Sequence, residues 1–390
     1  MTGNSGNCGT SGTSGDIRAQ DTSSKRGLRP WLTEVFALAL LSAWNGQGGW
    51  GQNKLGQLLA LALLPLSWVF AGLVAIRRAL YQRGFYKQET LPVPVIVVGN
   101  VMVGGVGKTP ITMALVNHLK AQGFSVGVLS RGYGRKTSRT LAVSTNSQSS
   151  DVGDEPLLIF RSCQVPVFVG SSRVDAGHAL LALHPDVQVL VCDDGLQHWQ
   201  LARDLDLCVF DERGLGNGHL LPAGPLREEW PRKALRRTTS GQDVPCLVLK
   251  TAGLSGPHEF AVQRNLADFA MQANGTQRPL RSWGQTPVQA LAGIAKPEKF
   301  FAMLLEQGMN VPNTLALADH ADFEHLNIDA SQGDVFCTEK DAVKLWAYHP
   351  QAWAVPLQIT LTTELLDAID LHLAAAQHAK LSSPHGYQTA

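Results

Sequence analysis

The chain has 390 residues, of which 44% are hydrophobic and 17% are charged, and its formal net charge is +1 at pH 7. This composition is typical of a folded α/β protein and excludes a chain that is disordered throughout. A net charge this close to zero argues against a protein that works mainly by coating nucleic acid, so no nucleic-acid partner is expected. At about 150 residues per domain, the length predicts two modest domains.

The six cysteines are spaced without a C-x-x-C pair. Thiolate ligation of a metal and a disulfide framework are therefore both disfavoured, and a reducing cytoplasmic setting fits this usage. We expect each cysteine to be a small buried hydrophobic residue, since three of them lie inside apolar strand-like runs. They are Cys8, Cys163, Cys192, Cys208, Cys246 and Cys337.

Residues 1–28 are rich in Gly, Ser, Thr and Asn. This composition buries too little apolar surface to offset chain entropy, so we expect a disordered tail. The tail lacks the basic start, apolar centre and small-residue cleavage site of a secretory signal. Residues 29–90 then form a hydrophobic segment of a different character.

The hydrophobic segment contains two apolar runs, Trp31–Trp44 and Leu55–Ile76, separated by a glycine-rich break. Leu55–Ile76 carries no charge and is as long as the roughly 20 residues that span a bilayer, so it is a candidate membrane helix. A basic cluster follows it directly, which predicts that the next domain faces the cytoplasm. The alternatives are a helix lying in one leaflet, bent at Pro65, and a buried helical hairpin of a soluble domain. The basic residues are Arg77, Arg78, Arg83 and Lys87.

Beyond Pro92, short apolar runs rich in β-branched residues alternate with segments of helical length. Such runs are typical of buried parallel strands in an α/β sheet. They are Val93–Val98, Ser125–Leu129, Val165–Val169, Val187–Cys192, Leu205–Phe210 and Cys246–Leu249. After about residue 280 the alternation restarts, with strands predicted at Val288–Ile294, Val335–Thr338 and Leu357–Leu361 and a helix at Pro297–Gln307.

These patterns predict an α/β fold with two domains. Residues 91–250 form a mostly parallel sheet domain, and residues 286–376 form a smaller C-terminal α/β domain. Residues 251–285 connect the two, and residues 377–390 are a tail. The membrane-associated N-terminal helix precedes both domains.

A glycine-rich loop follows the first predicted strand and precedes the amphipathic stretch Ile111–Lys120. In such strand–loop–helix units, backbone N–H groups at the helix N-terminus hold phosphate oxygens, and glycine permits the close approach. Lys108 is placed to reach the β- and γ-phosphates, and the Thr109 hydroxyl to ligate Mg²⁺, which predicts a P-loop nucleotide site. The strict pattern has glycine where this chain has Met102. The predicted nucleotide-binding residues are Gly104, Gly105, Val106, Gly107, Lys108, Thr109 and Pro110.

Two acidic turns offer carboxylates for phosphoryl transfer. Asp193 and Asp194 follow a buried strand run, at the end where open α/β sheets bind ligands, and one of them is a natural Mg²⁺ organiser. The alternative for this pair is a turn or a helix cap. Asp154 and Glu155 precede a helical stretch, where an N-cap with an acidic first turn is an equally weighted alternative. The proline-rich loop 221–228 has the irregular character of a functional loop.

Several motifs occur in a fixed order between about residue 31 and residue 375. They are Pro94-Val-Ile-Val-Val-Gly-Asn100, Gly104-Gly-Val-Gly-Lys-Thr-Pro110, Ser130-Arg-Gly-Tyr-Gly-Arg135, Gly153-Asp-Glu-Pro156, Asp193-Asp-Gly-Leu-Gln-His198, Pro222-Ala-Gly-Pro-Leu-Arg-Glu228, Ala318-Asp-His320 and Thr338-Glu-Lys-Asp-Ala-Val-Lys344. In this order they resemble the tetraacyldisaccharide 4'-kinase (lipid A 4'-kinase) family. Ordered motifs are far more specific than any single one.

The resemblance implies transfer of the ATP γ-phosphate, with Mg²⁺, to the 4'-hydroxyl of a tetraacyldisaccharide 1-phosphate, giving lipid IVA in lipid A biosynthesis. It also implies a Gram-negative bacterium and the cytoplasmic face of its inner membrane. The expected partners are therefore a lipid-linked disaccharide substrate and the membrane lipid surface. We expect the protein to be a monomer.

By the same resemblance, Asp154 is the catalytic carboxylate, paired with His320 from the second domain, and Lys108 assists at the phosphates. The residues implied for the metal site are Thr109, Glu155, Asp193 and Asp194. The residues implied for the substrate cleft are Asn100, Arg131, His198, Arg227 and Glu228. Taken alone, His320 would more often be a surface or capping histidine, so its role depends on the resemblance.

A membrane-associated ATPase switch of the partitioning or targeting type is the main alternative. The loop of such switches carries a lysine at the position of Val103, so this chain lacks the residue that they use across their dimer. A non-catalytic nucleotide-binding module is a third interpretation, which the two acidic turns disfavour. Nucleotide-dependent dimerisation would favour the switch, and acceptor-dependent ATP consumption would favour the kinase.

Overall fold

The computed structural model describes residues 39–44, 54–232, 243–253, 256 and 259–381. The predicted tail 1–28, most of the run Trp31–Trp44 and its glycine-rich break lie outside these residues, as does Cys8. The prediction that the cysteines are buried is wrong for Cys246, which is exposed at the first residue of its strand. Within the described residues, the chain forms two β-sheets with helices packed against them.

The larger sheet contains β1 (Val95–Gly99), β2 (Val126–Ser130), β3 (Leu141–Ala142), β4 (Val167–Val169), β5 (Val189–Asp193), β6 (Leu205–Phe210), β7 (Cys246–Lys250), β8 (Glu259–Leu266) and β15 (Leu357–Leu361). In the described part of the chain these nine strands are ordered β15-β8-β7-β6-β1-β5-β2-β4-β3. The central strands pair in parallel, whereas the edge strands β3 and β15 pair antiparallel to β4 and β8.

The central strands form where apolar, largely β-branched residues follow one another without alternation. Every residue of β1, β2, β5 and β6 is buried, as expected for a parallel sheet covered on both faces. The predicted runs agree with these strands to within two residues at each end, and β6 has the predicted bounds. The sequence pattern therefore determines this part of the fold directly.

Helices cover both faces of the larger sheet. In chain order the helices are α1 (Lys54–Gln82), α2 (Lys108–Ala121), α3 (Ser149–Val152), α4 (Asp154–Cys163), α5 (Arg173–Leu183), α6 (Pro297–Glu306), α7 (Glu339–Leu345) and α8 (Thr363–Leu381). Alternate residues of β1 enter two different cores. Ile96 packs in the core formed with α2, α4 and α8, and Val97 packs in the core formed with α5.

The smaller sheet contains β9 (Phe269–Met271), β10 (Gln277–Pro279), β11 (Gln289–Ala292), β12 (Asn313–Ala316), β13 (Val335–Thr338) and β14 (Trp353–Val355). Among the described residues, its order is β10-β9-β14-β13-β11-β12, with β9 and β10 antiparallel to their neighbours. Its core includes Trp283, whose ring makes edge-on contacts at 5.0 Å with Phe336 and Trp353. Short 3₁₀ turns at Leu280–Ser282 and Ala330–Gln332 complete it.

The chain crosses between the sheets at places that the sequence does not indicate. The expected connecting segment 251–285 contains β8, which extends the larger sheet, and β9 and β10 of the smaller one. Leu357–Leu361, expected in the C-terminal domain, pairs instead with β8 in the larger sheet, and α8 packs in the core of that sheet. An apolar run indicates burial but not which strand it will pair with. The domain boundaries themselves stay a prediction.

Helix α1 continues without interruption through Pro65. It is long and apolar enough to cross a membrane by length and composition. Its most apolar 18-residue stretch has a mean hydropathy of 2.3, and 11% of that stretch is buried. A buried hairpin of a soluble domain is therefore excluded for this helix, whereas a membrane-associated helix fits. Its exposed apolar side chains include Leu55, Leu58, Leu61, Leu66, Trp68, Val69, Leu73 and Ile76.

Candidate active site

The glycine-rich loop joins β1 to α2 at the carboxyl end of the larger sheet. Helix α2 begins at Lys108, and its N-cap Gly107 has φ 80°, in the left-handed region that favours glycine. Gly104 also has a positive φ, 103°. The backbone therefore has the shape of a loop that presents amide groups to an anion at a helix N-terminus.

Met102, which replaces the first glycine of the strict pattern, is 1% exposed and forms an isolated antiparallel bridge with Leu226. The next amide, that of Val103, donates to Pro225 O at 2.9 Å. The first half of the loop is thus extended and covered by the 221–228 loop. The departure from the pattern lies outside the curved part of the loop that begins at Gly104.

The ammonium group of Lys108 lies between a neutral and an acidic partner. Its Nζ is 3.4 Å from Asn100 Oδ1 and 3.5 Å from Asp194 Oδ1. Asn100 is fully buried, so its side chain supports Lys108 from beneath the loop. Lys108 is held at the position from which a P-loop lysine reaches phosphate oxygens.

Strand β5 places Asp193 and Asp194 beside this loop. Asp193 is 1% exposed; it accepts hydrogen bonds from Thr112 Oγ1 at 2.7 Å and Thr109 Oγ1 at 3.4 Å. Asp194 occupies the left-handed region at φ 48°, and its Oδ1 is 3.4 Å from Arg227 Nη1. One carboxylate therefore faces hydroxyl groups and the other faces cations.

The two neighbouring carboxyl groups are shifted in opposite directions. Burial raises the pKa of Asp193 to about 7, and the negative charges of Glu155 and Asp194 contribute to the rise. Burial also raises the pKa of Asp194, but Lys108 and Arg227 outweigh it, so this pKa lies below its ordinary value. Carboxylates that repel one another beside a phosphate loop are stabilised by a divalent cation.

The predicted metal-site residues offer hydroxyl and carboxylate oxygens, which are the donors that Mg²⁺ prefers. Within the described residues, no group of three His, Cys, Asp or Glu side chains is arranged to hold a metal alone. Mg²⁺ commonly takes only one or two carboxylates and completes its shell with phosphates and water. Thr109 and Asp193 at 3.4 Å, with Glu155 close enough to raise the pKa of Asp193, therefore fit this ion.

Asp154 and His320 lie 166 positions apart, yet His320 Nδ1 is 2.8 Å from Asp154 Oδ2. Asp154 is the first residue of α4, so the acidic first turn expected as the alternative is present together with the pair. His320 lies in the loop after β12 of the smaller sheet. The structure thus brings together, across the two sheets, the two residues that the resemblance pairs.

His320 has φ 63°, a left-handed conformation that costs a non-glycine residue about 1–2 kcal/mol. Its backbone is fixed by two hydrogen bonds, from its own amide to Gly293 O at 3.3 Å and from Lys344 Nζ to its carbonyl at 3.3 Å. The exposed ring of Tyr133 lies against the imidazole, with 5.5 Å between ring centroids. The imidazole is therefore held in one place by contacts from both sheets.

Two lysines of α7 complete this cluster. Lys344 Nζ is 2.8 Å from Asp154 Oδ2, and Lys340 Nζ is 3.5 Å from His320 Nε2 and 3.8 Å from Glu155 Oε1. Burial raises the pKa of Asp154, but the hydrogen bonds from His320 and Lys344 outweigh burial, so the pKa lies below its ordinary value. The Asp154 carboxylate is consequently ionised at neutral pH.

The 221–228 loop is joined to the phosphate loop through Gln197. The Gln197 amide donates to Asn100 O at 3.0 Å and to Glu228 Oε1 at 2.8 Å, and its Oε1 is 3.3 Å from Arg227 Nη1. Glu228 is 1% exposed and lies 3.3 Å from Arg232. In this structure Glu228 therefore braces the loop from inside, while Arg227 faces the cleft beside Asp194.

Arg131 and His198 differ in how the fold uses them. Arg131 is exposed directly after β2. His198 Nε2 accepts the backbone amide of Arg173 at 3.1 Å, so this nitrogen is engaged at the start of α5. Of the residues predicted for the substrate cleft, Arg131 and Arg227 are the ones whose charges face solvent.

Helix α1 is attached directly to the loops of this site. Ser67 Oγ donates to Leu220 O at 2.6 Å and accepts from the Ala223 amide at 3.0 Å. Arg77 Nη2 is 3.4 Å from Gln197 O, and Arg78 Nη1 is 3.6 Å from a carboxylate oxygen of Glu229. The apolar helix is therefore part of the wall that holds the 221–228 loop in place.

A family model described as Tetraacyldisaccharide-1-P 4'-kinase matches residues 59–374 of the chain. The chain belongs to this kinase family. A tetraacyldisaccharide 4'-kinase of Acidovorax ebreus (strain TPSY) is 49% identical over 341 residues, which are 87% of this chain and 96% of the relative. One from Delftia acidovorans is 44% identical over 349 residues, 88% of this chain and 97% of the relative.

A crystal structure of LpxK from Aquifex aeolicus, described as an "apo" form in complex with ATP, is 29% identical to the chain with a TM-score of 0.69. The match covers 82% of this chain and 99% of that structure. The kinase fold is therefore shared, and the family assignment does not favour the ATPase switch.

Sequence reasoning gave no role to several residues that the structure places in the site. They are Thr112, Gln197, Arg264, Lys340 and Lys344. Thr112 was detectable, because it follows Lys108 by one helical turn and Thr109 by three residues on α2. Gln197, Lys340 and Lys344 lie inside recognised motifs but received no function. Arg264 lies in the expected connecting segment, where no pattern marked it.

Proposed function

We propose that this kinase transfers the γ-phosphate of ATP to the 4'-hydroxyl of tetraacyldisaccharide 1-phosphate, forming lipid IVA in lipid A biosynthesis. The observation that carries the proposal is the hydrogen-bonded pair of Asp154 and His320, at 2.8 Å, beside a glycine-rich phosphate loop. Membership of the family supports the same reaction.

ATP binds at the loop from Gly104 to Pro110, whose backbone amides and helix N-terminus receive the phosphates. Lys108 follows the β- and γ-phosphates and stabilises the charge that develops as the γ-phosphoryl group leaves. In this structure its ammonium group lies 3.4 Å from Asn100 Oδ1 and 3.5 Å from Asp194 Oδ1. These long contacts are readily exchanged for charge-assisted bonds to phosphate.

Thr109 and Asp193 would hold Mg²⁺, with Glu155 and Asp194 beside them. When bound, the ion supplies positive charge that neutralises the phosphate oxygens. Asp193 must be ionised to serve as a ligand, and its pKa of about 7 shows how strongly burial and Glu155 oppose that ionisation without a cation. Thr112 positions the Asp193 carboxylate for this role, because its hydroxyl donates a hydrogen bond to Asp193 Oδ1 at 2.7 Å.

Asp154 accepts the proton of the acceptor hydroxyl, because a sugar hydroxyl is a poor nucleophile at neutral pH. His320 and Lys344 both bind Oδ2 of this carboxylate, so Oδ1 is the oxygen directed to the acceptor. Arg131 and Arg227 provide positive charge for the anionic disaccharide. Asn100, His198 and Glu228 act from beneath the cleft, where they bind Lys108, the backbone amide of Arg173 and Gln197 in that order.

The protein works as a monomer at the cytoplasmic face of the inner membrane. A substrate with four acyl chains stays in the bilayer, so the enzyme must reach it there. The exposed apolar side chains of α1 supply that contact, and the basic residues that follow its apolar run Leu55–Ile76 favour the cytoplasmic side. The attachment of α1 to the 221–228 loop brings the cleft close to the membrane surface.

The decisive experiment incubates the purified protein with ATP, Mg²⁺ and tetraacyldisaccharide 1-phosphate and looks for a bis-phosphorylated lipid. We expect product only when all three are present, and we expect the Asp154→Asn variant to form it at least about 100-fold more slowly. ATP hydrolysis without lipid phosphorylation, or nucleotide-dependent dimerisation in its place, would contradict the proposal.

A further inference from the structure

Arg264, on the edge-proximal strand β8, lies directly against the phosphate loop. Its Nη2 donates to Val106 O at 2.5 Å. A Cβ added to Gly107 would lie 1.9 Å from the same nitrogen, so the guanidinium rests on the backbone of the loop. A cation therefore stands at the N-cap of α2, where the helix already presents positive partial charge.

This guanidinium has few partners. Across the described residues, the bond to Val106 is the one hydrogen bond made by its side chain, and its buried Nε has no acceptor. No carboxylate of the described chain lies within ion-pair distance of it. Arg213, on the other side of the same loop, is different, because its Nε is 2.9 Å from Asp211 Oδ2. Of the two arginines that contact the loop, Arg213 is therefore neutralised by a carboxylate and Arg264 is not.

An unpaired, partly buried guanidinium destabilises a protein unless an anion compensates it. Burial lowers the pKa of Arg264, and the more distant charges of Asp211 and Glu212 offset this only in part. Arginine remains charged in proteins even so. The folded protein thus keeps a cation with no carboxylate partner among the described residues beside the glycine-rich loop, a position that favours binding of an anion.

We propose that Arg264 binds the terminal phosphates of the nucleotide, as a second cation opposite Lys108. The inference rests on the proposed function, since it takes ATP as the ligand of this loop. The planar guanidinium has five N–H donors, of which one is used by Val106, and the others suit the oxygens of a polyphosphate. The residue therefore discriminates nucleoside di- and triphosphates from monophosphates.

The test is the variant Arg264→Met, whose affinities for ATP, ADP and AMP are measured by titration calorimetry with Mg²⁺. A hydrogen bond to a charged group contributes about 1.5–3 kcal/mol, so ATP affinity should fall roughly 10- to 100-fold. AMP affinity should change less than about twofold. Arg264→Lys keeps the positive charge but lacks the paired N–H donors of the guanidinium, so it should recover part of the lost ATP affinity.

Thermal unfolding separates binding from a structural role. Because the variant removes an uncompensated charge, its nucleotide-free Tm should equal or exceed that of the wild type, while the Tm rise with ATP shrinks. If Arg264 served only to brace Val106, the nucleotide-free Tm would fall and the ATP-to-AMP affinity ratio would be unchanged. That result would overturn the inference.

Two controls keep this outcome distinct from failure of the proposed function. Arg278→Met removes a guanidinium that stacks on Trp283 in the smaller sheet, and it should leave the affinity ratio unchanged. Lys108→Ala should lose ATP affinity. If wild type and Lys108→Ala behave as expected and Arg264→Met keeps the wild-type ratio, the inference alone is wrong. If the wild-type protein does not bind ATP, both proposals are wrong.

Discussion

Lys108 is held by two long contacts, at 3.4 Å to Asn100 Oδ1 and 3.5 Å to Asp194 Oδ1. Asp194 keeps Arg227 as a partner without it, and Gln197 still binds the backbone carbonyl of Asn100, so the contact that is lost outright is the one to Asn100 Oδ1. The lysine side chain therefore contributes little to the fold. Its charge is available to the nucleotide that we propose as the ligand of this loop.

We predict that Lys108→Ala lowers the rate of lipid phosphorylation by at least about 100-fold, because one preorganised electrostatic group is typically worth that much. The glycines of the loop and the helix that follows them are unchanged, so the Tm should stay within a few degrees of the wild type. The measurement is the initial rate of bis-phosphorylated lipid formation beside a thermal melt. Most of the activity surviving in a correctly folded variant would refute the phosphate-loop assignment.

Asp193 illustrates the opposite balance, in which a functional residue opposes stability. Its pKa is about 7 in the folded protein, against an ordinary value of 3.8, first because of burial and then because of Glu155. The folded state therefore holds this proton more tightly than the unfolded state does. The contribution of Asp193 to stability is complete below about pH 4 and is lost as the pH rises through about 7.

We predict that Asp193→Asn is more stable than the wild type at pH 8 without Mg²⁺, and that the difference narrows toward pH 5. The asparagine cannot ionise, so it does not incur the cost of a buried charge. Thermal unfolding of both proteins at pH 5, 6.5 and 8 measures the difference between their Tm values. Other groups that titrate in this range, such as Glu339, whose pKa burial raises to about 7, affect both proteins equally and cancel in that difference. Addition of MgCl₂ with ATP should stabilise the wild type more than the variant.

A wild type that is more stable than Asp193→Asn at pH 8 in metal-free buffer would contradict this assignment. Asp194→Asn is a matched comparison on the adjacent residue. Its carboxylate is stabilised by Lys108 and Arg227, and its pKa is lowered. Its removal should therefore destabilise the protein at pH 8, with the opposite sign.

Secondary-structure elements were predictable where one element alone produces the sequence signal. The apolar runs of β1, β5 and β6 identify buried strands, and the glycines after β1 identify the phosphate loop. The local pattern of a single apolar run does not indicate which strand that run will pair with. The run that forms β15 has the same character in either sheet, so its pairing with β8 emerges only from the assembled fold.

The same limit explains the site residues that sequence reasoning missed. Arg264 lies on a strand of alternating burial, and nothing nearby in the sequence indicates that Val106 will lie beside it. Lys344 becomes part of the site only because α7 packs against α4 and places its Nζ 2.8 Å from Asp154. Roles that depend on two distant elements are assigned by resemblance or by structure, not by local pattern.

The pair formed by α4 and the loop after β12 gives the sharpest prediction at this scale. Asp154→Asn removes the proton acceptor and His320→Ala removes its partner, so each should lower kcat by about 10²–10⁴-fold. ATP affinity should change little. The double variant should be scarcely worse than the more damaged single variant, because residues that act as one unit are not additive.

Losses that multiply in the double variant would show that the two residues act independently. Asp154→Asn also weakens the ion pair with Lys344, so all variants must be compared below their own Tm. Lys120→Met provides a matched control for loss of a partly buried lysine contact. Lys120 bonds to Cys163 O at the far end of α2, and its replacement should lower Tm without lowering kcat.

Among the described residues, two groups of polar contacts join the smaller sheet to the larger one near the phosphate loop. One is the Asp154–His320 cluster, and the other joins Lys299 to Glu212 at 2.8 Å and Lys296 to Asp211 at 3.3 Å. Burial raises the pKa of Glu212, but the two lysines lower it to about 2. The second group therefore stays charged at any physiological pH, and the two sheets enclose the site from both sides.

A third contact, from α1, makes this apolar helix part of the assembly. Ser67 bonds to the loop that covers Met102, and Arg77 and Arg78 bond to residues next to the acidic turn and the 221–228 loop. The outward face of α1 is apolar and makes no comparable polar contacts with these loops. Helix α1 thus contacts the loops of the site with one face and leaves a second, apolar face exposed.

We predict that deletion of residues 1–80 moves the protein from the membrane to the soluble fraction and also abolishes activity on detergent-dispersed substrate. A matched variant, with Leu58, Leu61, Trp68 and Leu73 replaced by serine, should become soluble as well. Because it keeps Ser67, Arg77 and Arg78, it should retain most activity on dispersed substrate while losing activity on substrate in vesicles. Fractionation after high-salt washing and the two lipid assays measure these effects. A deletion variant that remains in the membrane would show that α1 is not the sole anchor, and a deletion variant fully active on dispersed substrate would show that α1 does not brace the site.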